Sequence, residues 1–373
     1  MVLLDRCKHI IYSFWVLGRR VIVEKRRWRN LPDPVGNEIR VFYGHELIPS
    51  RLESASGALI KFQDLNDYFP NTVRGANVLY LVSSALPSFP VVMAREAKRK
   101  GAIVIINQNG VAYPAWHGPG WDKTNRPMQV LLQLADFVIY QSEFCKLAAD
   151  TYLGSVGVPW TIMYNPVDTR AFVPTMGVLP GMRILLAGSH HQFYRVRVAI
   201  EMISQLLPYT PEVKLSIAGR YRWRMKEEEC LQEARQLATE LGVASQVEFI
   251  GAYTQAEAPS LFQQHHVLLH TQYNDSCPRL LVEAMACGLP IVYSASGGAP
   301  ELVGDEAGVG VESRLDWESI NAPLPQELAA ATLKLFASFD RYSREARKRA
   351  VEKFDRSLWV ENHQNIITKI LKR

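Results

Sequence analysis

The feature that most constrains this chain is a regular alternation of short apolar runs with amphipathic stretches. Each run is about five residues long, and most end at Gly, Ser or another polar residue, which is typical of buried strands. The predicted strands are 77–82, 102–106, 136–140, 183–188, 214–219, 247–251, 267–270 and 290–294. Helical patterns lie between them, for example at 227–241 and 280–287. This alternation predicts parallel sheets covered by helices, which is the α/β class.

The chain divides near residues 163–174, where an Asn-Pro pair is a turn signal and further prolines follow. Its 373 residues are enough for two domains with sizeable cores. We predict an N-terminal domain over 1–165, a second domain over 166–357, and a helix within 358–373 that folds back across the cleft. Ligands of such sheets bind at the carboxyl ends of the strands, so the cleft is the expected site.

Cysteine content and apolar run length suggest a cellular setting. The five cysteines are odd in number and form no C-x-x-C pair, which fits reduced thiols in the cytoplasm. No apolar run reaches the roughly 18–20 residues that span a bilayer. The apolar stretch from Ile10 to Leu17 is short and lacks a small-residue cleavage site, so we expect no signal peptide.

Positive charge is concentrated at the N-terminus. Residues 1–30 hold eight Lys and Arg against two acidic residues, a net +6, whereas the whole chain carries +5. The large apolar residues interleaved with these charges include Ile10, Ile11, Phe14, Trp15 and Trp28. This pattern suits the anionic inner face of a membrane, and the alternative is a solvated basic helix packed on its own domain. A nucleic-acid enzyme more often spreads its charge along a groove, so we expect no nucleic-acid partner.

Glu283 is an isolated carboxylate in the apolar segment NDSCPRLLVEAMACGLPIV, residues 274–292. Pro278 is well placed as the first helical residue, and Gly288 followed by Pro290 reads as the helix stop. The helix is apolar nearly all round, which predicts burial. A buried carboxylate needs a hydrogen-bonding or charged partner. The spacing alone leaves two partners open, an internal Arg or a ligand in a cleft.

Five segments carry a resemblance to a known family. They are NPVDTRAF, ILLAG, LSIAG, VEFIGAY and NDSCPRLLVEAMACGLPIVYSASGGAPELV, in this order. They resemble the retaining glycosyltransferases of the GT-B fold, group 1 (family 4), strongly from about 160 to 310 and only in architecture before that. The family signature is a carboxylate, seven residues and a Glu, which Asp275 and Glu283 meet with Asp in place of the commoner Glu. The resemblance implies two Rossmann-like doubly wound domains that face each other across a cleft.

The resemblance also implies roles for these residues. Glu283 would accept hydrogen bonds from the ribose of a sugar nucleotide, and Asp275 would contact the transferred sugar, so these two are the catalytic candidates. The free N–H groups at the start of the helix would bind the diphosphate. The donor-binding candidates there are Cys277, Pro278, Arg279 and Leu280.

The segment GSHHQFYRVRV departs from the family, which places an Arg and a Lys after the first strand of this domain. Ser189 stands where the Arg is expected, and Arg195 or Arg197 stands in for the Lys. The segment AGRYRWR offers further positive charge that would replace the missing Arg. Its candidates are Arg220, Arg222 and Arg224, among which the sequence does not decide.

Acceptor-binding candidates lie in the N-terminal half. Gly57 is part of ELIPSRLESASGALIKF, which resembles the loop and helix that open the acceptor domain. Asn109 and His117 belong to INQNGVAYPAWHGPGW, a loop whose amide, aromatic and Gly residues suit sugar hydroxyls and ring stacking. Asp64 and Asp67 are predicted to lie on a helix face or at its end.

The predicted activity is transfer of a sugar from a nucleotide sugar to a glycan or glycolipid hydroxyl, with retention, in polysaccharide or glycolipid biosynthesis. No D-x-D at a strand end and no His/Cys cluster with metal-ligand spacing is present, so we expect a metal-independent, cofactor-free enzyme. Two alternatives remain open at this point. One is a nucleotide-sugar epimerase of the same fold, and the other is a non-catalytic sugar-nucleotide-binding subunit.

Overall fold

The computed structural model describes residues 18–34, 38–51, 53, 57–175, 177 and 180–372. Within these ranges the chain forms two α/β domains, each built on a parallel sheet. The strands of the N-terminal sheet are β1 (Val41–Phe42), β2 (Val78–Val82), β3 (Ile103–Gln108), β4 (Phe137–Tyr140) and β5 (Trp160–Ile162). The strands of the C-terminal sheet are β6 (Arg183–Ala187), β7 (Lys214–Ala218), β8 (Val247–Gly251), β9 (Val267–His270), β10 (Ile291–Ala295) and β11 (Gly308–Glu312).

Helices connect these strands. Those of the N-terminal domain are α1 (18–30), α2 (Gly57–Asn66), α3 (Pro90–Arg99), α4 (Pro114–His117), α5 (Trp121–Leu134) and α6 (Glu143–Tyr152). Those that follow are α7 (Tyr194–Leu206), α8 (Glu227–Glu240), α9 (Ala258–Gln263), α10 (Arg279–Ala286), α11 (Ala299–Val303), α12 (Pro325–Phe336), α13 (Phe339–Phe354) and α14 (Arg356–Leu371). Two short 3₁₀ turns lie at Ser83–Ala85 and Ala244–Gln246.

The strand order of the C-terminal sheet places its binding site. The order is β11-β10-β9-β6-β7-β8, so the chain moves outward from β6 in one direction and then returns to add β9 on the other side. The carboxyl ends of β6 and β9 therefore border a crevice between connections that leave in opposite directions. In open α/β sheets this switch point is where ligands bind. The N-terminal strands pair in sequence order, β1 to β5.

Alternation along each strand builds a core on both faces of the sheets. In β6, Ile184 and Leu186 pack into the cluster that contains α7, α8 and α12, whereas Leu185 and Ala187 pack into the cluster with α10 and α13. In the N-terminal domain, α3, α5 and α6 cover one face of the sheet. The other face is covered by α2 together with α14, which contributes Trp359, Val360 and Ile367. The last helix of the chain thus lies against the first domain.

The structure contains all eight predicted strands and adds three that the sequence pattern missed. β1 has two residues, β5 is short and only partly buried, and β11 alternates Gly with its apolar residues, so none has a strong apolar run. One boundary prediction was wrong. Pro278 has extended backbone angles and is the N-cap, so α10 begins at Arg279. Trp28 is also corrected: it packs into the N-terminal core beside Phe42, whereas its position in the sequence suggested a membrane surface.

Candidate functional site

A cavity of about 440 Å³ lies at the carboxyl ends of the C-terminal strands. We call it the first cavity. Residues that line it include Gly57, Ile60, Gln63, Gly188, Ser189, Arg220, Arg222, Tyr253, Gln255, Leu280 and Glu283. Most follow β6, β7 and β8 or belong to α10 after β9, so the sheet's switch point gathers them. Its size is in the range of small-molecule sites.

Two glycines let the backbone close up at this cavity. Gly188 follows β6 and Gly219 follows β7, and both have positive φ angles. A Cβ on Gly219 would lie 1.7 Å from the carbonyl oxygen of Gly188, so the two loops fit together only without side chains. The wall of the cavity is bare backbone here, which permits the close approach that a phosphate requires.

Glu283 pairs with an internal Arg and also borders a cavity, so it fits both of the partners that the sequence left open. It is 5% exposed, and its Oε1 accepts hydrogen bonds from Arg279 Nε at 2.8 Å and Gln255 Nε2 at 2.8 Å. It also lines the first cavity. The other end of Arg279 reaches the N-terminal domain, where Nη1 lies 2.7 Å from Asp64 Oδ2. Glu283 is therefore paired with an Arg and still borders space for a ligand.

The predicted phosphate-binding residues separate in the structure. Ser189, Arg220 and Arg222 line the first cavity. Arg195 lies behind it instead, buried, with Nη1 donating to the Ser189 carbonyl at 2.6 Å, so the expectation that it lines the pocket is not met. Arg224 binds Glu233 through two hydrogen bonds and does not face the cavity.

A second cavity of about 780 Å³ lies between the two domains, beside the first. Asp275 borders it from the loop after β9, and burial raises the pKa of this carboxyl to about 6 although Arg195 and the Cys277 amide oppose the shift. His270, the last residue of β9, is buried with its Nε2 3.6 Å from Asp275 Oδ2. Sequence reasoning missed His270 because it reads as the polar end of a strand.

The start of α10 is divided between the cavities. Cys277 and Pro278 border the second cavity, Leu280 borders the first, and Arg279 borders both. The Cys277 carbonyl accepts a hydrogen bond from Asn165 Nδ2 at 2.6 Å, which fixes the loop before the helix. The structure thus brings Asp275, the helix start and Glu283 together along one wall.

Paired glycines hold the Asp275 loop in place. A Cβ on Gly297 would lie 2.3 Å from the Asp275 carbonyl, and one on Gly298 would lie 2.2 Å from the Ser276 carbonyl. These glycines therefore let their own backbone pack directly against the backbone of Asp275 and Ser276. Glu301, in the helix that follows them, accepts hydrogen bonds from the first two N–H groups of α6, Glu143 at 2.7 Å and Phe144 at 2.9 Å. This contact joins the domains beside the second cavity.

The predicted acceptor residues all border the second cavity. Gly57 opens α2 and borders both cavities. The Asn109 amide is occupied by Ser83 and Ser84, which donate to and accept from it, so it supports the loop after β3. The His117 ring is exposed and lies 2.9 Å from the Thr124 hydroxyl.

Comparison with known proteins relates part of the chain to a known family. Residues 184–346 match the family model described as glycosyl transferases group 1. That range runs from β6 into α13, so it covers most of the C-terminal domain and all of its cavity-forming loops. The C-terminal domain is therefore similar to group 1 glycosyltransferases, as the motifs suggested.

Relatives and solved structures extend the comparison. D-inositol 3-phosphate glycosyltransferases from Mycobacterium leprae and Streptomyces bingchenggensis are 28% identical over 145 and 149 residues, which is 38% of this chain. The matched part spans about a third of the length of these relatives. The Anabaena HepE structure with UDP-glucose has a TM-score of 0.64 at 20% identity, over 83% of this chain and 82% of that one. Sucrose-phosphate synthase from Thermosynechococcus elongatus has a TM-score of 0.63 at 16% identity, over 83% and 76%. These likenesses confirm the predicted GT-B fold.

Metal clusters and membrane-spanning helices are both absent from the described ranges. Across the part of the chain that the structure describes, no His, Cys, Asp and Glu side chains form a group of three or more that could hold a metal ion. No helix in those same ranges is both long and apolar enough to cross a membrane. The expected independence from metals and cofactors stays a prediction.

Proposed function

We propose that this protein is a family 4 glycosyltransferase that moves a sugar from a nucleotide-sugar donor to an acceptor hydroxyl with retention. The observation that carries the proposal is Glu283, a buried carboxylate that borders a cavity at the switch point of the sheet. Ribose presents two neighbouring hydroxyls that can donate to such a carboxylate. Arg279 and Gln255 both donate to Oε1 of Glu283 and hold the carboxylate in place.

The structure also offers places for the diphosphate and the sugar of the donor. The diphosphate would lie on the bare backbone of Gly188 and at the start of α10, near Arg220 and Arg222. The sugar would extend into the second cavity toward Asp275. UDP and UDP-glucose are bound in the Anabaena HepE structures, which supports a uridine nucleotide as the donor of this protein.

Positioning and electrostatics would provide the catalysis. The bond from the anomeric carbon to the diphosphate oxygen breaks while the acceptor oxygen bonds to the same face of that carbon, and the acceptor's hydroxyl proton passes to the leaving diphosphate. No protein nucleophile is required. Fixed N–H groups and arginines stabilise the charge that develops on the leaving diphosphate. The acceptor would enter the second cavity from the N-terminal side, and we propose a glycan or glycolipid hydroxyl at the inner face of a membrane, in polysaccharide or glycolipid biosynthesis.

A thermal-shift screen over UDP-, GDP- and ADP-sugars tests donor binding, because a ligand of the native state raises its melting temperature. We expect UDP-sugars to give the largest shift. The turnover test is release of nucleoside diphosphate from the donor only when acceptor is present. An epimerase would interconvert the donor without acceptor, and a non-catalytic subunit would bind the donor and release nothing. Absence of any shift with all three donors would contradict the proposal.

A further inference from the structure

Lys61 is a buried cation that the proposed reaction does not use. It lies on α2 and is 3% exposed, yet it borders the second cavity. Among the residues that the structure describes, none accepts a hydrogen bond from its ammonium or forms an ion pair with it. Buried lysines are rare unless they are paired, because removing an ammonium from water is costly.

The groups around Lys61 do not neutralise it. Asp64 lies one turn along α2 but is held by Arg51 and Arg279. The thiols of Cys145 and Cys277 lie close enough to Lys61 to attract its ammonium if they were ionised. Burial raises the pKa of both thiols, to about 11 for Cys145, so both are uncharged. Arg279 adds repulsion, and desolvation lowers the pKa of Lys61 to about 8. The site is short of negative charge.

Lys61 lies on the face of α2 that is turned away from the proposed nucleoside site. Ile60 and Gln63 border the first cavity, whereas Ala58 and Lys61 border the second. Neighbouring residues of a helix point about 100° apart, so the two pairs lie on different faces of α2. Lys61 therefore faces the part of the cleft where Asp275 lies and where an acceptor would enter.

Asp275 does not serve as the counter-ion. The charged group that shifts the pKa of Asp275 is Arg195. The charged groups that shift the pKa of Lys61 are Asp64 and Arg279. The second cavity thus has a carboxylate on the C-terminal side and an ammonium on the N-terminal side that do not pair. A ligand of this cavity is expected to offer hydroxyls to the first and an oxyanion to the second.

We propose that the acceptor carries an anionic group, a phosphate ester or a carboxylate, and that Lys61 binds it. This inference rests on the proposed function, because it assigns the second cavity to the acceptor. An oxyanion within reach of the ammonium would supply the missing charge and form a charge-assisted hydrogen bond. Uncharged acceptors of the same shape would bind less tightly.

The test compares Lys61→Met with Lys98→Met. Lys98 is an N-terminal-domain lysine that pairs with Asp136 outside both cavities, so it controls for general loss of positive charge. Met keeps the length of the side chain and removes the buried charge, so Lys61→Met is expected to fold. Inorganic phosphate is titrated into each protein alone and into each protein saturated with UDP, and binding is measured by calorimetry.

In the UDP-saturated proteins, where the proposed diphosphate site is filled, we expect wild type and Lys98→Met to bind phosphate and Lys61→Met to bind it at least about tenfold more weakly. UDP affinity should change by less than about twofold in Lys61→Met. Phosphate binding that UDP abolishes, together with a large loss of UDP affinity in Lys61→Met, would assign Lys61 to the donor diphosphate and overturn the proposal. Equal phosphate binding in all three proteins, or none up to 100 mM, would make Lys61 structural. Failure of UDP to bind at all would count against the proposed function, whereas phosphate binding without UDP still tests Lys61.

A second measurement tests whether anion binding is accompanied by proton uptake at Lys61. Sulfate stays a dianion at pH 8, where the Lys61 ammonium is only partly protonated. Sulfate binding beside Lys61 should therefore draw a fraction of a proton from the buffer. Calorimetry in two buffers of different ionisation enthalpy should show this uptake in wild type and in Lys98→Met, but not in Lys61→Met. Equal proton uptake in Lys61→Met would assign the proton to another group and contradict an anion at this ammonium.

Discussion

Arg279 Nη1 lies 2.7 Å from Asp64 Oδ2, so a buried ion pair ties the start of α10 to the N-terminal domain. The same guanidinium donates through Nε to Glu283, the carboxylate that borders the first cavity. The residue proposed to bind the ribose is therefore connected through one Arg to the opposite wall of the cleft. Donor binding and the contact between the domains are expected to influence each other through Arg279.

Glu283→Ala should weaken donor use by roughly 10- to 150-fold, because a hydrogen bond to a charged group contributes about 1.5–3 kcal/mol. The measurement is kcat/KM for the donor at fixed acceptor. Asp64→Asn is the comparison variant, since it loosens the contact between the domains and leaves the Glu283–Arg279 hydrogen bond intact, so its loss of donor use should be the smaller of the two. A folded Glu283→Ala with wild-type donor kinetics would contradict the ribose assignment. Equal losses of stability and of donor use in both variants would favour a structural ion pair.

The local part of this site could be predicted from sequence, and the part between domains could not. Asp275 and Glu283 are eight residues apart on one loop and helix, so their spacing is enough to place them together. Arg279 and Asp64 are separated by 215 residues, and their contact depends on how two finished domains dock. The burial of Lys61 could not be predicted from sequence either. Helix α2 lies between the core on one side and the cleft on the other, and a lysine in such a helix would be predicted to be exposed to solvent.

The arginines after β7 offer an internal comparison. Arg220→Ala and Arg222→Ala should raise the donor KM or lower kcat, because both side chains line the first cavity beside Gly188. Arg224→Ala is the control, since Arg224 binds Glu233 away from the cavity. Nucleoside binding should change little in all three. Similar losses in Arg224→Ala would mean that the effect is general, and wild-type kinetics in both of the other variants would leave the diphosphate to Arg279 and the backbone.

Asp275 should make activity depend on pH. Its carboxyl has a pKa of about 6 in the folded chain, against an ordinary value of 3.8, so the fraction that is ionised falls as pH drops through about 6. If the ionised form binds the sugar, kcat/KM should decline below that pH. The raised pKa also means that ionising Asp275 costs stability, and this cost appears as pH rises from 3.8 to about 6.

Asp275→Asn should therefore lose most activity and be more stable than wild type at pH 7.5, with the difference vanishing near pH 4. Activity from pH 5 to 8 and melting temperatures at both ends give the two readouts. An acidic limb that persists unchanged in the residual activity of Asp275→Asn would assign the titration to another group. A variant less stable than wild type at pH 7.5 would contradict the burial cost.

Transfer should survive EDTA. The charge of the leaving diphosphate would be met by the start of α10 and by arginines, so no divalent ion is required in the proposed scheme. Product formation is measured before and after chelation and again after addition of Mn²⁺ or Mg²⁺. Activity abolished by EDTA and restored by Mn²⁺ would contradict the site as described.

Helix α1 should bind anionic membranes reversibly. Residues 1–17 lie outside the described part of the chain, but the described helix exposes Ile22 at 51% and Val23 at 58% among Arg20, Lys25 and Arg26. Each basic residue near an anionic leaflet contributes about 1 kcal/mol, and salt screens this attraction. Co-sedimentation with liposomes should require anionic lipid and fall steeply as NaCl rises from about 50 to about 500 mM.

Charge reversal at Arg20 and Arg26 should abolish this binding, because both side chains are exposed on α1. Reversal at Lys348 and Lys353 is the control, since these exposed residues lie on α13 in the other domain. Trp28 must be left intact, because it packs into the N-terminal core and donates to Glu24. Equal recovery with neutral and anionic liposomes would identify α1 as a solvated helix of its own domain, and a glycolipid acceptor would then have to reach the second cavity without help from this surface.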